Sequence, residues 1–445
     1  MAEKNRSSDL FPMALTDMEK FHWYDSSPEF LNQIFVRFKY RGLIDPEKAE
    51  LAAQRTVARH PLLNTTIKKA DGKLEWIWSP DQLPEIDWRG DSQNAGLPNL
   101  QSNDSVPWNV TTRVAEGSTE MWFYMSHSVG DGLAGIQIIS DWMKQYHHLV
   151  TGDRPKGVHR LEDHLLSQRS RIGLLKWRYL KKLWMQPLGL FGAYKFIFRK
   201  PTELVSESRR VTSVWDEQRQ PTVIGQWIDE SRSEEIKHRS RQLGITTNTF
   251  FLGQLMKSLS EFCPPLESNK SGWIRILLPM NIRDFSDRRM PATNRTTIVQ
   301  IDRAAKDFTD PAFFTQLQRE IGIIQQWDLG KLFLIAIRLM SWIPSILKRA
   351  ASSKKCRGTA VVANLAEPFG RIGLPIESQK LKVGNLILEE FDFVGPIRHR
   401  MPVNFTIQKH LGRYRISLHF DPRVLDKTTA RDLLTRFTTG LTDSA

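Results

Sequence analysis

Apolar and polar positions change period several times along the chain, and each change marks an element. Ile34 to Tyr40 set β-branched and aromatic side chains among polar ones, which predicts a half-buried strand. After a turn at Arg41-Gly42, Asp45-Pro46 reads as an N-cap with proline in the first helical position. It opens a helix whose inward face carries Ala49, Ala52, Ala53, Thr56 and Val57. His60-Pro61 ends that helix, because the proline ring disfavours helical geometry in the residue before it.

Two further strands, Trp108 to Ala115 and Met121 to Ser126, flank the polar turn Glu116-Gly117-Ser118-Thr119. From Leu133 the spacing lengthens to three and four, with Ile136, Ile139, Met143 and Tyr146 on one helical face. The segment around His127 is therefore a strand-to-helix turn. Later the mixture recurs: strands at Thr222–Ile228, Trp273–Leu278, Thr296–Ile301 and Arg413–Phe420, and helices at Phe250–Phe262 and Thr428–Leu441. Ser231-Arg232-Ser233-Glu234 resembles a capping box that starts another helix, ending near Gly244.

A chain of 445 residues exceeds what one hydrophobic core usually organises, which predicts two domains. The pattern places them at 1–149 and 215–445, joined by a basic, aromatic crossover at 150–214 that includes Lys176-Trp177-Arg178-Tyr179, Lys181-Lys182, Trp184, Phe196 and Phe198. Hydrophobic residues form 40% of the chain and charged ones 25%, enough to fill two cores and far from a disordered composition. The net charge of +14 favours anionic partners. No zinc-finger spacing, arginine-glycine repeat or single-strand-binding aromatic motif accompanies it, so nucleic acid is not expected.

Cys263 and Cys356 are too few for a disulfide framework and lack the neighbours of a metal site; no metal is expected. Met1 to Arg6 lead into no apolar signal core, which predicts a cytoplasmic protein. Leu332 to Leu347 is apolar but holds Arg338 and Pro344 and is shorter than the ~20 residues that span hydrocarbon. It reads as a buried helix or as an interfacial one followed by Lys348-Arg349 and Lys354-Lys355, which leaves a membrane or lipid-droplet surface open as a peripheral partner.

His127-Ser128-Val129-Gly130-Asp131-Gly132 is the one constellation with chemistry in it. Imidazole, with an ordinary pKa near 6.5, can take a proton from an acceptor hydroxyl or amine at neutral pH. Asp131 suits a turn-fixing role with a buried arginine, and Gly132 would supply backbone freedom. A histidine at a strand end is also a common structural residue, so this segment alone leaves both readings open. No Gly-x-Ser-x-Gly elbow, phosphate loop, His-Glu-x-x-His helix or paired-cysteine motif competes with it. His60 and His147-His148 read as residues at helix ends.

Ser126 to Gly132 resembles the His-His-x-x-x-Asp-Gly signature of bacterial wax ester synthases/diacylglycerol acyltransferases, peptide-synthetase condensation domains and alcohol acetyltransferases, with Ser126 in place of the first histidine. In the same order along the chain, Arg59-His60-Pro61-Leu62-Leu63, Gly244 to Thr249, Leu278 to Arg283 with Asn294, and Arg415 to Asp421 resemble further family segments. Thr249 replaces an expected aspartate, and the Pro-Gly-Pro that usually continues from the Asn364 segment is absent.

The resemblance implies the chloramphenicol-acetyltransferase-like fold, an α/β chain of two similar mixed-sheet domains with a tunnel between them. It implies an acyl-CoA donor as substrate, no permanently bound cofactor, and a hydroxyl-bearing acceptor, lipid among the options. His127 would be the base and Asp131 a structural partner of an arginine such as Arg283. Ser126 and Gly132 would shape the turn, Asn294 would orient reacting groups or the oxyanion, and Asn364 would support the tunnel wall. A condensation-type N-acyltransferase using a carrier-protein thioester, and a non-catalytic paralogue that binds a lipid or protein, are the alternatives.

Overall fold

The computed structural model describes residues 7–79, 86–89, 108–173, 182–205, 222–263 and 272–442. Residues 176–179, Lys181 and the end of the crossover near Val214 lie outside the described residues.

Two large sheets and one small one carry the chain. The first large sheet runs, in order, Ile376–Glu377, Lys380–Val383, Leu386–Val394, Gln33–Arg41, Ser118–Ser126, Trp108–Ala115 and Ile86–Arg89. The second runs Thr296–Ala304, Trp273–Asn281, Ala360–Asn364, Val403–His410, Arg413–Phe420 and Thr222–Ile228. Both mix parallel and antiparallel neighbours: Ile86–Arg89 lies parallel to Trp108–Ala115, and Ala360–Asn364 parallel to both of its neighbours. The small sheet joins Met13–Ala14, Lys73–Trp78 and Thr65–Ala70.

Gln33–Arg41 is the axis of the first lobe. Phe38 and Tyr40 are buried, and the strand pairs with Ser118–Ser126 in a register that sets Val36 opposite Phe123. The helices Pro46–Arg59 and Gly132–Thr151 pack together, and the Trp142 indole donates to the Ala49 carbonyl at 3.3 Å. Leu386–Val394 covers the other edge of the axial strand, with Phe391 opposite Phe38.

The second unit expected over 215–445 is thus interrupted, because 376–394 contributes three strands to the first lobe. An interior strand needs hydrogen-bond partners on both edges, and this returning segment supplies the second row. The two sheets meet at Asp392. Its carboxylate accepts from Arg37 of the first sheet and from Arg415 and Ser417 of the second, at 2.5, 2.8 and 2.7 Å.

Two local expectations shift. The helix expected to be capped from Ser231 spans Glu230–Gln242, and Asp229 is its cap, accepting from the Arg232 amide at 2.9 Å. The apolar run 332–347 is two helices, Lys331–Ser341 and Pro344–Ala351, broken ahead of Pro344. No described helix is long and apolar enough to cross a membrane.

Candidate active site

The turn that carries His127 is held at both ends. At its start the His127 amide donates to the Asn32 carbonyl at 2.9 Å, and Ser126 closes the bend: its carbonyl accepts from Val129 and its hydroxyl from the Ser128 amide. At its end Asp131 caps the helix Gly132–Thr151, accepting from the Ala134 amide at 3.0 Å. The path between is tight, since a Cβ on Gly130 would lie 2.5 Å from Cβ of Ala134. Gly132 was expected to supply backbone freedom, yet it is helical and outside the left-handed region. Its constraint is spatial, with Leu365 3.2 Å from where a Cβ would stand.

Asp131 is buried, and most of its partners come from the second half of the chain. Arg283 donates to both oxygens at 2.9 Å, while the Arg295 amide and the Thr296 hydroxyl each donate to Oδ2 at 2.7 Å. Burial would raise the carboxyl, but the Arg283 guanidinium and the other donors outweigh it and hold Asp131 below the usual carboxylate range. It is a charged clasp with its oxygens occupied, which suits a structural role and not proton transfer.

Asn294 adds a second clasp. Its amide nitrogen donates to the carbonyls of His127 and Ser128 at 2.6 and 3.1 Å. Both hydrogens are spent on the main chain, and its buried oxygen has no partner. Asn294 therefore shapes the turn, and the expectation that it donates to an oxyanion is not met in this geometry.

The imidazole of His127 lies flat against that of His22, ring centres 3.9 Å apart and planes within 11°. His22 comes from the short helix Asp17–Asp25, and Asn32 Nδ2 donates to its Nδ1 at 3.1 Å. Burial, with His127 and Arg398 adding to it, drives the His22 pKa well below normal. For His127 burial lowers the value to about 4; its own main-chain carbonyl and Asp131 oppose the change, and Arg398 adds to it. Both rings are neutral near pH 7. His127 Nδ1 is buried without a partner, while the residue keeps accessible surface, which leaves Nε2 as the nitrogen open to a ligand.

Two cavities lie near the residues that hold this turn, and neither is lined by His127 or by another residue of the turn itself. One of about 1510 Å³ lies in the second lobe, walled by apolar residues such as Phe251, Ile301 and Trp327, by charged ones such as Lys182, Asp287 and Lys331, and by Asn248 and Asn364. It reaches the motif through Arg283 and Arg295, not through the His127 ring. Asn364 donates to Asn248 at 3.0 Å on this wall, away from the Asp131 cluster. A smaller one, of about 80 Å³, is lined by Tyr24, Asp25, Arg357 and Arg398. Asp25 accepts from Asn32 at 2.9 Å, so its wall is two hydrogen bonds from the His127 amide.

His22, Asn32 and Gly130 are the site residues that sequence reasoning missed. Gly130 had a signal, a glycine inside the motif; His22 and Asn32 had none, because their contacts with His127 join positions about a hundred residues apart. Two of the histidines read from the sequence as helix-end residues are engaged elsewhere: His60 faces Asp141 and accepts from the Ala292 amide, and His147 accepts from Gly384.

No protein-family model and no curated protein matches the chain. Among solved structures it is similar to the starter condensation domain of rhizomide synthetase in complex with C8-CoA and Leu-SNAC (13% identity, 99% of this chain and 96% of that one, TM-score 0.67). It is similar also to the first condensation domain of the CDA synthetase (12%, 97% and 95%, 0.65) and to polyketide synthase associated protein 5 from Mycobacterium tuberculosis (14%, 97% and 97%, 0.60). At these identities the likeness is one of architecture, and it runs nearly end to end: the chain has the mixed α/β, two-lobed fold of condensation domains.

Proposed function

We propose that this chain is an acyltransferase that moves an acyl group from an acyl-CoA thioester to a hydroxyl, with His127 as general base. The observation that carries the reading is the His127 ring: neutral, gripped through its main chain by Asn32 and Asn294, and open at Nε2. Nε2 takes the hydroxyl proton as the oxygen attacks the thioester carbonyl. The tetrahedral intermediate collapses with loss of the CoA thiolate, and the imidazolium returns the proton to that sulfur. No covalent enzyme intermediate is needed and no cofactor is held between turnovers.

Asp131, Arg283, Asn294, Ser126 and Gly132 keep the turn in place, and Asn364 supports the cavity wall. The fold neighbour that holds C8-CoA supports a CoA donor. The large cavity, in which apolar walls such as Phe251, Ile301 and Val362 alternate with charged ones, has the volume for a lipid acceptor, and we place the enzyme in the cytoplasm at a membrane surface.

The same fold likeness favours a second reading, transfer to an amine from a carrier-protein thioester. Purified protein mixed with acyl-CoAs and matched alcohols or amines, followed by free-thiol release and product mass, tests both. Alcohol-dependent thiol release that disappears in His127→Ala supports the proposal. Equal release in both proteins rejects His127 as base, and release with amines alone selects the second reading.

A further inference from the structure

Among the described residues, eighteen large apolar side chains are exposed, and twelve of them fall in two short stretches, 184–198 and 339–346. Scattered singly, such residues need no explanation; gathered, they mark a contact surface.

The first stretch contains the helix Gln186–Phe198, which inverts the usual soluble arrangement. It turns its smallest residues to the protein: a Cβ on Gly189 would meet Leu332 at 2.0 Å, and the Gly192 carbonyl accepts from Gln300 at 2.8 Å. It turns its largest outward, with Ile197 at 71% exposure and Phe198 close behind, and Trp184 just ahead of it is 69% exposed. The second stretch is the break between Lys331–Ser341 and Pro344–Ala351, where Trp342 is 76% exposed beside Ile343. The two are joined through one helix: Gln186–Phe198 rests on the start of Lys331–Ser341 through Gly189 and Leu332, and the second stretch follows at that helix's other end.

Charge selects the occupant. Neither 182–200 nor 339–355 contains an aspartate or glutamate, while Lys195, Arg199, Lys200, Lys348 and Arg349 border the apolar residues. Exposed tryptophans and aliphatics ringed by cations match the boundary between lipid headgroups and acyl chains. A helix of 13 residues is far short of a span and suits lying in that boundary. The large cavity adjoins the same region: Trp327 in its wall packs on Trp184 at 5.2 Å, and Lys182 and Lys331 line it.

We infer that the helix Gln186–Phe198, with Trp342 and Ile343, docks the protein on an anionic lipid bilayer and turns the wall of the second-lobe cavity toward it. A hydrophobic substrate then passes between bilayer and cavity without crossing water. The docking stands by itself; only the identity of what passes rests on the acyl-transfer reading.

Co-sedimentation of the full chain with vesicles of phosphatidylcholine alone, or mixed with phosphatidylglycerol, tests it. The wild type binds the mixed vesicles, and binding weakens as salt rises. Ile197→Ser with Phe198→Ser, and Trp342→Ser with Ile343→Ser, each weaken partitioning about tenfold or more with an unchanged circular dichroism spectrum. His127→Ala binds as the wild type does. Absence of wild-type binding, double variants that bind normally, or a protein dimer that buries these residues in place of lipid would each overturn the inference. If vesicles bind but the wild type shows no acceptor-dependent turnover, the acyl-transfer reading fails and the docking stands; turnover that survives His127→Ala removes only His127 as base.

Discussion

Two seams between the lobes are built from the same parts. At one, buried Asp131 accepts from Arg283, Thr296 and the Arg295 amide; at the other, buried Asp392 accepts from Arg37, Arg415 and Ser417. Each seam has a histidine nearby that burial lowers to about 4, His127 at the first and His419 at the second. The difference is access. His419 is buried, its Nδ1 lies 2.8 Å from the Gly395 carbonyl, and Phe35 meets it edge-on. His127 keeps accessible surface and an unengaged nitrogen. A buried arginine–aspartate pair beside a shifted histidine is an ordinary way to join two sheets; an imidazole left open beside one is what marks a site.

The largest effect should separate the two histidines. His127→Ala is expected to lower acceptor-dependent thioester turnover by about 10²–10⁴-fold, whereas His419→Ala leaves turnover near wild type and lowers the melting temperature. Initial rates and thermal melts on both variants check this. The carboxylates should then differ in both stability and rate. Asp392→Asn strands buried Arg415, at about 3–5 kcal/mol in denaturant unfolding; Asp131→Asn releases the half-buried Arg283 and costs less, and only Asp131→Asn slows the folded fraction.

How much of this was legible in the sequence follows from how far each contact reaches. The helix over 132–151 announces itself through Ile136, Ile139, Met143 and Tyr146, and the strand over 33–41 through its patterning; both signals lie within a few residues. The pairing of Leu386–Val394 with Gln33–Arg41 joins segments some 350 residues apart, and no local pattern contains it. The cap at Asp229 was missed by two residues because Ser231 offers the same chemistry, and its hydroxyl donates to the Asp229 carboxylate. At the site, the arginine partner of Asp131 was an expectation from family order, and Arg283 occupies that position. His22 sits on a helix of only nine residues with little amphipathic pattern, so nothing nearby hints that its ring faces His127.

A smaller effect separates the two glycines of the turn. Gly130→Ala forces a Cβ into Ala134 and should cost about 1–3 kcal/mol, while Gly132→Ala meets only the movable end of Leu365 and should cost less; urea unfolding of each distinguishes them. The smallest expected effect is the share of each histidine in acid sensitivity. His127, His410 and His419 titrate at about 4 when folded against 6.5 ordinarily, so the folded chain binds fewer protons between those values. Their stabilising contribution is complete above about pH 6.5 and is lost as pH falls toward 4. Melting temperatures across that window should fall with pH, and less steeply in His419→Ala.

The pH dependence of kcat/KM for acyl transfer to an alcohol tests the central claim most directly, because it reports the free enzyme's base. An imidazole open to ligand but buried against His22 predicts an acid limb at about 4, absent from the residual rate of His127→Ala. A limb at 6.5 or above, or one that survives the substitution, would contradict the account.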